Sequence, residues 1–113
     1  MAASSQTPTE QFMAALSAAE HITATSPVAP DSVSLAPHSD WGFVPGTCQS
    51  QIGVQLHFDG AGDVLRFAKA LRLAVAERPH DEQRVYVFAD GVLNEVPFRA
   101  WALARVESSA VAA

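Results

Sequence analysis

A chain of 113 residues, 49% hydrophobic and 17% charged, is sized for one small domain. No stretch approaches the ~18–20 apolar residues of a transmembrane helix. The net charge of −5 is too mild for a nucleic-acid mimic and has the wrong sign for non-specific nucleic-acid binding.

All seven Lys and Arg fall between Arg66 and Arg105, so residues 1–65 carry −6 and residues 66–113 carry +1. A charged fraction below the ~25% of an average globular protein leaves a sparsely charged surface. Alanine-rich coding accounts for this, and so does burial of surface in an oligomer or complex. The lone cysteine, Cys48, allows no internal disulfide, which fits a reducing compartment. Met1–Ser5 offers no basic n-region, and Glu10 and Glu20 interrupt the apolar stretch that follows, so a signal peptide is not expected. The expected location is the cytoplasm.

In chain order, Thr7-Pro8-Thr9-Glu10 spells a capping box with proline at the first helical position. The spacing of Phe12, Ala15, Leu16, Ala19 and Ile22 predicts a helix over about 8–21. Its stripe is narrow and alanine-rich, so this helix must dock on something to persist. Residues 1–22 form this N-terminal helical segment. Residues 23–50 read as a Pro/Ser-rich loop, with 31–36 as a candidate edge strand closed by Pro37.

Residues 51–107 read as an α+β core and 108–113 as a tail. Ile52 to Phe58 alternates with period two, the mark of a half-buried strand. Asp59-Gly60-Ala61-Gly62 turns the chain, with Asp59 as the expected helix cap and Asp63 in the first turn. Val64, Phe67, Ala68, Leu71 and Val75 predict a second helix over about 61–77, stopped by Pro79. Arg84 to Ala89 has strand composition, Asp90-Gly91 is a two-residue hairpin signal, and the return strand runs from Val92 to Val106. The expected fold is a small antiparallel sheet of three or four strands with the main helix packed on one face, in the order α-β-β-α-β-β.

No motif here specifies catalysis, a cofactor or a metal. Asp59–Asp63 lacks the third glycine of a dinucleotide fingerprint and any Walker lysine. His21, His38, His57 and His80 show no ligand spacing beyond the single pair His57/Asp59. Two patterns are left. Arg66, Lys69 and Arg72 recur every three residues as a basic stripe, suited to phosphates or an acidic partner, and equally to a solvated outer face. Arg99, Trp101 and Leu103 share one face of the last strand and, with Trp41 and Phe43 in the long loop, are interface candidates, since Trp and Arg anchor many interfaces. The alternative is that the first helix or the loop around Trp41 covers them.

The alanine-rich helix ending at His21-Ile22, the Pro-punctuated strand, Val54-Gln55-Leu56, Asp63–Leu71 and Val96-Pro97-Phe98-Arg99-Ala100-Trp101 resemble a loose group of small accessory proteins of high-GC actinobacteria and their phages. The resemblance spans most of residues 12–106, with 37–50 as an insertion, and brings no activity or site residues with it. It implies a bacterial or phage host, hence a bacterial cell, an infected host or a virion, and an accessory role. The functional expectation is a non-enzymatic protein-binding protein. A minor structural component of a virion or other oligomer, and a nucleic-acid module using the basic stripe, are the alternatives.

Overall fold

The structure, a computed structural model, describes residues 7–37 and 51–106. The elements are α1 (Pro8–Thr25), β1 (Ser32–Pro37), β2 (Ile52–His57), α2 (Ala61–Leu71), β3 (Val75–Pro79), β4 (Arg84–Leu93) and β5 (Val96–Arg105). The strands make one sheet in the order β1-β2-β5-β4-β3. β1 is antiparallel to β2, and β4 to both β3 and β5, whereas β2 runs parallel to β5. The class is α+β, as expected. The sheet, however, has five strands rather than three or four, is mixed rather than antiparallel, and adds one strand to the expected order.

The capping box forms as written. The Thr7 hydroxyl accepts from the Glu10 N–H at 3.1 Å, and the Glu10 carboxylate accepts from the Thr7 N–H at 2.9 Å. Such a cap contributes about 1 kcal/mol. α1 continues to Thr25, one turn past the expected end. It buries Ala15, Ala18, Ala19 and Ile22, small side chains that let it sit close to the sheet. Phe12 and Leu16, expected on that stripe, are instead 45% and 43% exposed.

The parallel pairing of β2 and β5 explains α2. β3, β5 and β2 all point the same way, with β5 and β4 between β2 and β3. A connection between parallel strands must cross over the sheet. An 11-residue helix is ~16 Å long, which matches three strand spacings of ~4.8 Å. α2 accordingly lies over β5, β4 and β3 and buries Val64, Phe67 and Ala68. The Phe67 ring centre sits 5.4 Å from that of Phe58 and 6.2 Å from that of Phe98. Both helices share this face of the sheet with the core residues Val54, Leu56, Val87, Ala100 and Ala102.

Two expected boundaries are corrected. α2 ends at Leu71 rather than near 77, because Arg72 adopts the left-handed conformation (φ 59°) and donates its N–H back to the last turn. The chain then leaves as β3, which pairs with β4 and ends at Pro79 on the sheet edge. An arginine in this conformation pays a steric penalty that glycine avoids. Arg72→Gly is therefore expected to raise stability by about 1 kcal/mol, read as a higher urea midpoint at unchanged slope. The second correction is the hairpin. β4 runs straight through Asp90-Gly91, and the turn is Asn94-Glu95, whose φ values of 50° and 71° supply the two positive angles of a type I′ turn. Asp59 also leaves the capping role to Gly60, which has no side-chain cap.

Among the described residues, no helix is long and apolar enough to cross a membrane.

Candidate functional site

Alternation along the strands sends every second side chain to the face opposite the helices. β2 contributes Gln55 and His57, β5 contributes Arg99, Trp101 and Leu103, β4 contributes Tyr86, Phe88 and Asp90, and β3 contributes Arg78, as the cross-strand register requires. No described helix lies on this face. Among the described residues, it carries the densest set of aromatic and charged contacts.

Asp90 and Arg99 stand directly opposite each other on the β4–β5 ladder. The guanidinium donates from Nε to Oδ1 at 2.6 Å and from Nη2 to Oδ2 at 2.8 Å, a bidentate pair. Arg99 is only 3% exposed. Burial pulls its pKa down, but the hydrogen bonds it donates to Asp90 and Tyr86 and the Asp90 charge outweigh that and hold it above the ordinary arginine range. Its Cζ lies 4.2 Å from the Phe88 ring centre, while Arg78, arriving from β3, lies 5.0 Å from the same ring. Phe88 is thus flanked by two cations, one from each neighbouring strand.

A row of rings continues from there. Phe88 and Tyr86 centres are 5.2 Å apart, Tyr86 and Trp101 5.5 Å, and Trp101 and His57 4.5 Å. These are contact distances for offset or tilted rings. His57 Nδ1 lies 3.6 Å from the Asp31 carboxylate at the start of β1. Outside this row, the β3–β4 turn is tied by Asp81. The Gln83 N–H and then the Arg84 side chain hold its carboxyl below the usual range.

The structure places the sequence candidates as follows. Trp101 and Leu103 are half-buried on this face, Trp101 between His57 and Tyr86 and Leu103 opposite Tyr86. Arg99 shares the face but is sunk beneath it and bound to Asp90, so it fixes neighbours rather than projecting. Trp41 and Phe43 lie outside the described residues, as do His38 and Cys48. α1 covers the other face and does not cover Trp101. Arg66 and Lys69 are exposed on α2, whereas Arg72 has left the helix as its cap. None of the three makes an ion pair among the described residues. The sequence reading missed Tyr86, Phe88, Asp90 and Arg78. Period-two alternation through Arg84–Asp90 already groups Tyr86, Phe88 and Asp90, and only the misplaced turn hid Asp90 from Arg99.

One further concavity, of about 380 Å³, lies between the C-terminal ends of α1 and α2, lined by His21, Ile22, Thr25, Leu71, Leu93 and Phe98 among others. The Thr25 hydroxyl is already bonded to its own helix, at the carbonyls of His21 and Ile22. His21 is the one titratable group among the described residues that line the concavity. Among the described residues, no three His, Cys, Asp or Glu side chains converge as metal ligands would. Comparison with protein-family models, curated proteins and solved structures finds no match for the chain.

Proposed function

We propose that the protein is a small, non-enzymatic accessory module that docks on another protein through the sheet face around Trp101. The observation that carries this reading is the row His57–Trp101–Tyr86–Phe88, a run of ring surface over a buried, paired arginine, with Arg78 laid against the Tyr86 and Phe88 rings. Asp90 neutralises Arg99, and Asp31 stands beside His57. What the row presents is therefore aromatic area with a polar rim, the composition of a protein-recognition patch.

The test starts with capture by the full chain from its native host, then purification of the captured protein and titration against wild type and Trp101→Ala. Trp101→Ala is expected to weaken binding ~30-fold, the effect of losing a hot-spot tryptophan of about 2 kcal/mol. Its circular dichroism and cooperative melt should stay those of a folded domain. Equal affinity of the two proteins would remove the site. A gel shift with single-stranded RNA or DNA at low salt that is lost on Arg66→Glu/Lys69→Glu, in the absence of any saturable protein partner, would turn the reading to the α2 surface.

A further inference from the structure

The opposite end of the sheet carries a second unfinished surface. β1 is the terminal strand among the described residues, so one side of its backbone faces no other described strand of the sheet. Edge strands of monomers are usually blunted by lysines, inward-pointing charges or bulges. Ser32-Val33-Ser34-Leu35-Ala36-Pro37 holds no charge at all, only the proline at its end. Above this edge runs the outer flank of α1, where Phe12, Met13 and Leu16 are 45%, 58% and 43% exposed. Val33, 40% exposed, points to the same side. Met13, Leu16, Ala19 and Val33 line one apolar groove between helix and strand, along which Glu20 is the single charged residue among those described.

We propose that this edge and flank form a two-fold interface between two copies of the chain. A strand paired antiparallel with its own copy generates a two-fold axis perpendicular to the sheet. That operation keeps the same sheet face on the same side in both copies. The two α1 helices therefore arrive beside each other across the seam, and one rotation closes both the hydrogen-bonding edge and the apolar flank. An unrelated partner would need both features to be matched separately.

The area is sufficient. The seam is about 25 Å long, set by an 18-residue helix and a six-residue strand, and about 20 Å wide, which with surface relief gives ~600 Å² per copy and ~1,200 Å² in all. This is the lower bound of specific, stable interfaces. The low charge content of the chain points the same way. The surface is separate from the Trp101 face, so neither reading depends on the other.

Sedimentation velocity on the full chain decides the matter. Wild type is expected to dimerise with a Kd of about 10 µM, the weak end of the range spanned by somewhat larger interfaces. Met13→Lys/Leu16→Lys, both at exposed positions, should weaken the dimer at least ~100-fold, as two charges are forced into an apolar seam, with the circular dichroism unchanged. Leu65→Lys, at an equally exposed apolar site on α2, should leave the dimer intact. A wild-type monomer at ~100 µM, well above the expected Kd, would overturn the proposal. So would a dimer that survives Met13→Lys/Leu16→Lys, or one that is broken by Leu65→Lys or Trp101→Ala instead.

Discussion

Asp90→Ala is expected to destabilise the fold by roughly 3 kcal/mol, the cost of removing one partner from a buried ion pair. The Arg99 guanidinium is almost wholly out of water and packed against Phe88, and, as an arginine, it cannot shed its charge by deprotonating. Without the carboxylate, two short charge-assisted hydrogen bonds are gone while the cation stays where water reaches it poorly. The reverse deletion differs in kind, because the Asp90 side chain is 23% exposed and can be solvated once Arg99 is lost. The double variant Asp90→Ala/Arg99→Leu should recover most of the loss, since taking both charges away leaves nothing stranded. Urea denaturation of the three variants measures this. A single-variant effect within ~0.5 kcal/mol, the range of ordinary surface substitutions, would mean the pair does not hold the two strands.

Gly91→Val is expected to cost about 3 kcal/mol, through overpacking rather than lost contacts. Gly91 faces Phe98 across the β4–β5 ladder, and a Cβ built there would run into the tip of the Phe98 ring, with two further ring atoms at 2.9 and 3.0 Å. Phe98 is 3% exposed and packs on Phe67, so the ring cannot swing aside without disturbing α2. The glycine is thus a hole that an aromatic ring from the next strand fills. Thermal melts of Gly91→Val should show the lower midpoint, and a paired Gly91→Val/Phe98→Leu variant should recover part of it. A midpoint equal to wild type would show that the ring is not locked.

The same position shows where sequence reasoning failed and why. Asp-Gly is a stronger local turn signal than Asn-Glu and, on local grounds, predicts the hairpin turn. A turn at 90–91 would set Asn94 opposite Val87, on the face that packs under α2, and would bury an amide there. The observed register instead puts Asn94 and Glu95 at the exposed tip and lines Asp90 up with Arg99. That preference exists only once both strands and the helix layer are in place. β3 escaped notice for a related reason. Val75 falls in phase with the apolar stripe of α2, and the residue that stops the helix is an arginine, with no glycine to announce it. By contrast, the N-terminus of α1, the alternation of β2 and the edge position of β1 depend on neighbours a few residues away, and those were legible. Of the candidate face, Trp101 and Leu103 could be read from one strand. Their partners Tyr86 and Phe88 required the register of two.

The parallel seam between β2 and β5 has a consequence for how the chain finds its fold. Val54 pairs with Phe98, 44 positions apart, whereas the β3–β4 and β4–β5 pairings join neighbours in sequence. Closing a loop of that length is entropically costlier than closing a short hairpin. The meander β3-β4-β5 can assemble from local contacts, but it gains its central neighbour only when α2 has carried the chain across. Among the strand pairings this line of hydrogen bonds joins the residues farthest apart in sequence, and it, more than either hairpin, raises the contact order that slows folding.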